Sequence, residues 1–243
     1  MNPLHAQRIT SQLPSEAIVV DVGGGMAAFP RADWVVDALD FEERGCLLDP
    51  SSVNSEHRFT KGSWVRLDLC RRQPWPFTDK QFDFAVCSHV LEDVRDPVWV
   101  CSEISRIAKA GYIETPSRIV EQSKGVEHPH MAGFYHHRWL VSVVDGVLEF
   151  RQKPHLLHVT SKAIVTKVGF WRDINPAHAI TAHYWEGELN CHEVLDFDEQ
   201  SVVEELCEYS HRAQRIPQLL VPPQVALGKR VRKAFHRLRQ AWG

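Results

Sequence analysis

The stretch VVDVGGGMAAFPRADWVVD, residues 19–37, is an apolar run, three consecutive glycines, a turn, a second apolar run and an acid. A short valine-rich run with no polar face is what a strand buried on both sides requires. Glycines placed directly after such a strand leave backbone N–H groups free and admit a ligand where a Cβ would obstruct it. Nucleotide-type pockets on parallel sheets begin in this way. Gly23, Gly25 and Ala28 also satisfy the G-x-G-x-x-A spacing of a dinucleotide fold, with Asp37 or Asp40 available for a ribose. The stretch decides the fold class and leaves the ligand open.

Working outward, AIVVDVG (17–23) and DWVVD (33–37) are followed by three more strands of the same type. These are SWVRLDL (63–69), FDFAVCS (82–88) and AGYIETP (110–116), the last ended by proline. Between the fourth and fifth lies DPVWVCSEISRIAKA, where Asp96 and Pro97 suit a helix start. Val98, Cys101, Ile104, Ile107 and Ala108 then form an apolar stripe. Strands alternating with helices or loops predict an open α/β sheet.

After Pro116 the character changes. SRIVEQSKGVEHPHMAGFYHH is polar, aromatic and rich in histidine, as a loop or lid would be. RWLVSVVDG is expected to finish a helix or open a strand. VLEFRQK and LLHVTSKAIV alternate loosely enough for strands, and TAHYWEGELNCHEVL reads as strand, turn at Glu186-Gly187, strand. A helix follows over 198–213, then a linker, PQLLVPPQ, and a final helix over 225–241. The expected organisation is a cofactor-binding half over 1–116, sheet completion with a lid or cap over 117–197, and C-terminal helices over 198–243.

Composition bounds the function. The formal charge of -3 indicates no polyanionic partner, but residues 225–243 carry six Lys and Arg and no acid. On a helix, Leu227, Val231, Ala234, Phe235, Leu238 and Trp242 share one face of that segment and the basic residues lie elsewhere. A docked helix with a solvated basic face is the first expectation; weak attachment to an anionic surface or partner is the second. No basic–aromatic interleaving signals nucleic acid. The six cysteines (Cys46, Cys70, Cys87, Cys101, Cys191, Cys207) form no C-x-x-C pair and read as reduced residues of a cytoplasmic protein. MNPLHAQRITSQLPSE lacks the apolar core of a signal peptide. Nothing in the sequence fixes the oligomeric state.

The middle of the chain answers the question of the ligand. D-V-G-G-G (21–25) is followed by SWVRLDLCRRQPWPFTDKQFDFAVCSHVLEDV (63–94) and DPVWVCSEISRIAKAGYIETP (96–116). This succession resembles the class I S-adenosylmethionine-dependent methyltransferases, in particular their broad small-molecule group, over roughly residues 17–116. It has a hydrophobic-D loop, P-F-x-D-x-x-F-D, then C-S-H-V-L-E, and a helix ending in an R-x-L-K-P-G-G-like turn. That turn is Arg106 to Tyr112 here, with proline and one glycine replaced. Ala27 stands where the family commonly has the third glycine of G-x-G-x-G.

The resemblance implies a Rossmann-like open sheet and S-adenosyl-L-methionine as cofactor. Gly23, Gly24 and Gly25 would wrap its methionyl part, with Asp21 near the amino group. Asp37 could accept both ribose hydroxyls, since a carboxylate offers acceptors for two donors; Asp40 is the competitor. Asp68 matches the position that meets the adenine amino group, with Leu69 beside it. Ser88 and His89 lie after the fourth strand, where ligands meet an open α/β sheet.

Methyl transfer to a hydroxyl needs a base within hydrogen-bond reach. Glu114, Glu121, Glu127, His128, His130, His136 and His137 accumulate after the fifth strand. His128, His130 and His137 are the candidate catalytic bases. His128 and His130 flank Pro129 and would point the same way in an extended segment; the neighbours His136 and His137 would not. H-x-H and HH with Glu127 could alternatively supply metal ligands, but no H-E-x-x-H is present, and no metal is expected. The reading is a methyltransferase acting on a small-molecule acceptor, such as a sugar or biosynthetic intermediate. A non-catalytic protein of the same fold is the alternative.

Overall fold

The computed structural model describes residues 1–45, 57–196 and 198–221. Two compact units are defined. The first comprises Met1–Pro116, His136–Lys153 and Thr181–Leu195; the second comprises Ser117–Tyr135, Pro154–Ile180 and the described residues from Asp196 onward. The basic helix expected over 225–241 lies outside the described residues, as does Cys46. Among the described residues, no helix is long and apolar enough to cross a membrane.

The first unit is built on the expected strands: β1 Val19–Val22, β2 Trp34–Asp37, β3 Trp64–Arg66, β4 Phe82–Ser88 and β5 Ala108–Pro116. They lie in the order β3-β2-β1-β4-β5 with β8 (Ile180–Glu186) outermost. The pairs β1–β2, β2–β3, β1–β4 and β4–β5 are parallel. Ser117 N–H donates to Ala179 O at one end of β8 and Gly187 N–H to Lys109 O at the other, so β8 runs antiparallel to β5. The fold is α/β with a mostly parallel sheet, as the valine runs predict. The chain moves outward from β1 to β3 and then returns to β4 on the other side. That reversal opens a crevice at the carboxyl ends of β1 and β4.

Both faces of the sheet are covered, and alternation along each strand assigns its residues to one face or the other. Val20, Val22, Ala85, Cys87 and Ile113 pack with Val100, Ile104 and Ile107 of helix α2 (Pro97–Ile107). Val19, Val35, Val86 and Tyr112 pack with Ile9 of helix α1 (Pro3–Gln12). The apolar periodicity of 3–12 is weak, so α1 was not expected from the sequence. Asn2 caps it through Leu4 N–H, and Pro3 occupies its first turn.

Helix α2 starts where Asp96 accepts from Trp99 N–H at 3.1 Å. Its other end explains two polar residues of the P-W-P-F and R-I-A-K segments. Glu103 accepts from Trp75 N–H at 2.6 Å and from the Arg106 guanidinium, while Arg106 also donates to the carbonyls of Trp75 and Phe77. This pair fastens the loop before β4 onto α2. Lys80 adds its ammonium to the carbonyls of Ser105 and Ala108 at the helix C-terminus.

Three strands form a second sheet in the order β6-β7-β9: Trp139–Val144, Val147–Gln152 and Cys191–Val194. Trp139, Val141, Leu148 and Phe150 from this sheet join the α2-side core. RWLVSVVDG thus opens a strand. TAHYWEGELNCHEVL gives two strands, but β8 extends the main sheet and β9 joins the small one. LLHVTSKAIV is not a strand: His155–His158 and Ser161–Ala163 are short 3-10 turns. Its apolar residues enter the core from turns without any cross-strand partner.

The second unit centres on helices α3 (Arg118–Glu121) and α4 (Glu199–Gln214), close to the helix expected over 198–213. Ile119, Val120, Val165, Ile174 and Ala213 form its core. Buried Arg118 donates to both Glu205 oxygens and to Gln122, whose amide reaches the carbonyls of Ala163 and Leu206.

Gly111 tests the tightness of the main sheet. A Cβ there would stand 2.6 Å from the carbonyl oxygen of Ala85 and 2.7 Å from Trp185 Nε1. Backbone within a paired strand cannot yield as a flexible side chain would. Gly111→Ala is expected to destabilise the chain by about 1–3 kcal/mol, the range of overpacked core substitutions. Urea unfolding with an unchanged midpoint would refute this.

Candidate active site

The crevice at the β1–β4 reversal is lined by the glycine turn and by the loop after β4. Gly23 has φ +80°, a conformation L side chains rarely adopt, and a Cβ on it would lie 2.2 Å from Val90 Cγ2. Its N–H donates to Val36 O at 2.7 Å, tying the turn to β2. At Gly24 a Cβ would stand 2.5 Å from Asp21 Oδ2, and at Gly25 it would stand 2.4 Å from Asp37 Oδ1. Three consecutive positions are thus closed to any side chain. The turn is pressed between the β4 loop, the Asp21 carboxyl beneath it and the Asp37 carboxyl beside it.

Asp21 is buried and accepts from Phe29 N–H at 2.6 Å. Burial pushes its carboxyl up to about 7, against that hydrogen bond. It braces the turn from below. Asp37 accepts from Gly25 N–H through Oδ2 and from Leu39 N–H through Oδ1, each at 2.8 Å. One bond to each oxygen leaves acceptor capacity on both. Asp40 instead pairs with Arg66 at 2.8 Å. Of the two acids in DALD, Asp37 is the one held against the glycine turn.

Asp68 is exposed, pairs with Arg95 at 2.8 Å and accepts from Cys70 N–H at 2.9 Å. The Arg95 guanidinium and that amide hold its carboxyl below the usual range. Leu69 beside it is buried. Leu67 N–H donates to Asp37 O at 2.7 Å, which ties the approach to Asp68 to the end of β2.

Ser88 and His89 belong to a charged cluster that sequence reasoning did not anticipate. His89 adopts φ +58°, and its N–H donates to Glu114 O. Its half-exposed ring lies between two buried carboxylates, with Nε2 3.2 Å from Glu114 and Nδ1 3.4 Å from Glu92. Burial opposes the charge on this ring, but the two carboxylates prevail and raise it to about 9. Glu114 also accepts from Tyr112 OH at 2.5 Å, from Asn2 N–H and from Ser88 Oγ. Burial would raise its carboxyl, yet these donors and His89 hold it down at about 2. Both Glu92 oxygens are buried and make no hydrogen bond among the described residues. The i, i+3 spacing of His89 and Glu92 is the only trace of the cluster in the sequence.

The histidine-rich segment divides between the two units. His128 and His130 lie in the second unit and His137 in the first. His128 and His130 do not sit in an extended strand. They occupy a turn, with ring centroids 5.7 Å apart and His130 N–H donating to His128 Nδ1 at 3.3 Å. His136 and His137, expected to diverge, have ring centroids 4.5 Å apart, because a turn at 135–136 redirects the chain between them.

Residues 20–113 match the family model described as a methyltransferase domain. The match covers the same stretch as the resemblance to the class I S-adenosylmethionine-dependent methyltransferases and supports it there. No curated protein matches the chain. Among solved structures, it is similar to the YcgJ protein of Bacillus subtilis at 21% identity, over 47% of this chain and 51% of that one, with a TM-score of 0.33. An S-adenosylmethionine-dependent methyltransferase from Mesorhizobium loti gives 18% identity over 62% and 64%, at 0.34. A SAM-dependent methyltransferase from Aquifex aeolicus gives 14% over 46% and 64%, at 0.33. The chain spans about half the length of the first of the structures it matches.

The His89 cluster makes stability depend on pH. The ring's value is raised from an unfolded value of 6.5 to about 9, so its contribution is fully present below the former and lost as pH rises through the latter. His89→Gln should therefore lower the melting temperature most near pH 6 and progressively less towards pH 10. Thermal scans of both proteins across that range provide the check; a pH-independent difference would contradict the assigned charge.

Proposed function

We propose that this chain transfers a methyl group from S-adenosyl-L-methionine to a small-molecule acceptor, such as a sugar or a biosynthetic intermediate. The observation that carries the reading is the cradle at Gly23–Gly25, where any Cβ would collide and where Asp37 stands at the Gly25 amide. The residues present fit the cofactor. Gly23, Gly24 and Gly25 would receive its methionyl part, Asp37 its ribose hydroxyls, and Asp68 with Leu69 its adenine. When bound, the cofactor supplies an electrophilic methyl on a sulfonium centre.

The chain's own residues then bind, orient and exclude water, which is much of what such a transfer requires. Asp21 and Phe29 keep the glycine turn in place. Ser88 and His89 follow β4, just before Val90, which packs against Gly23. His89 is protonated near neutral pH and stands within ion-pair distance of Glu92 and Glu114, so it serves as a fixed charge and not as the base. The base for a hydroxyl acceptor is assigned to His128, His130 or, in the metal-free chain, His137. The partner is the acceptor itself; a basic C-terminal helix that touches an anionic surface is a secondary proposal.

Calorimetry with S-adenosylmethionine and its demethylated product tests the reading. Wild-type chain should bind both. Asp37→Ala should weaken binding by about 1.5–3 kcal/mol, the order of hydrogen bonds to a charged group. Gly23→Leu should abolish it. Asp40→Ala should bind as the wild type does. Normal affinity in Asp37→Ala would move the ribose to Asp40, and absence of binding in the wild type would remove the assignment.

A further inference from the structure

We propose that Asp93, His136 and His137 form a binding site for one divalent transition-metal ion of the zinc type. One carboxylate oxygen and one nitrogen from each ring all lie within 4.8 Å of one another, with His136 Nε2 3.7 Å from Asp93 Oδ2. All three residues belong to the first unit. Two imidazoles and a carboxylate are a donor set that zinc takes readily. Bonds of about 2.0–2.1 Å place neighbouring ligand atoms roughly 3 to 3.5 Å apart, so modest side-chain rotation closes the set.

The scaffold around the three residues is fixed on both sides. Glu92 O accepts from Arg138 N–H at 2.8 Å and from Trp139 N–H at 3.1 Å. On the far side of Asp93, Val94 O accepts from Trp139 Nε1 at 2.8 Å. Asp93 N–H itself turns back onto Val90 O at 3.0 Å. The segment 92–94 is thereby clamped to 138–139, immediately after the two histidines. Trp139 is buried in the core, which anchors that clamp. The turn at 135–136 then sets the rings edge to face, at 79°, so that neighbouring residues share one side.

Asp93 and His136 are partly exposed, with side chains 42% and 47% accessible, which gives an ion an entry path. Three protein donors leave at least one coordination position for water or an oxygen donor. Asp93 follows His89 by four residues on the loop after β4. The site is distinct from the H-x-H pair at 128 and 130, and it stands whether or not the chain transfers methyl groups.

The test uses the full chain, stripped with a chelator and titrated with zinc chloride by calorimetry. One equivalent should bind, and Asp93→Asn and His136→Ala should each weaken binding by about tenfold or more, as loss of a metal-site group does. His128→Ala should bind zinc as the wild type does. Absence of binding in the wild type, or unchanged affinity in Asp93→Asn, overturns the site. Loss of binding in His128→Ala with a normal Asp93→Asn also overturns it, in favour of the H-x-H pair. Wild-type chain loaded with cobalt(II) gives a readout free of any folding defect in the variants. Its histidine ring resonances should be broadened first at His136 and His137; broadening centred on other histidines refutes the proposal.

Discussion

The space that is missing around the glycine turn is the constraint on which the candidate site depends. Val90 approaches from the β4 loop, Asp21 from below and Asp37 from β2, each to a distance that leaves no room for a Cβ. Because the turn is backbone alone, its N–H groups can be committed individually: Gly23 to Val36 O and Gly25 to Asp37. The turn follows β1 where the sheet order reverses, where the neighbouring strand β4 belongs to the other half. Fold and pocket are one consequence of the same backbone geometry.

Charge is concentrated at the same crevice. Burying a carboxylate costs several kcal/mol unless donors or an opposite charge offset it. Glu114 is compensated by Tyr112, Asn2, Ser88 and His89, whereas among the described residues Glu92 has only the His89 ring within ion-pair distance. His89 is therefore held by two acids that need its charge. The ring is held there by a residue in the left-handed region, at φ +58°. Asp21 answers the same cost differently: with a single amide donor, its carboxyl rises towards neutrality.

Much of the first unit was legible in the sequence because its signals are local. Valine runs mark strands buried on both sides. Asp96 and Pro97 mark the start of α2, and a glycine triplet after a strand marks the turn. The motif residues Arg106 and Phe77 also proved to be related, since the guanidinium of one holds the carbonyl of the other. Signals failed where apolar residues reach the core without regular periodicity. LLHVTSKAIV alternates loosely but folds as turns, and α1 buries only Ile9.

By itself, the sequence determined the α/β class, the parallel strands, the position of the glycine turn and the acids around it, since each follows from a pattern within a few residues. Tertiary structure alone decided which of Asp37 and Asp40 faces that turn, because Arg66, brought up by β3, takes Asp40. It alone placed Glu92 and Glu114 on opposite nitrogens of His89, since β5 lies next to β4 only in the folded sheet. It also brought the His136 and His137 rings together, which were expected to diverge. Whether two neighbouring rings diverge or converge depends on the turn that carries them, and the contacts around 92–94 and 138–139 are made between residues far apart in the chain.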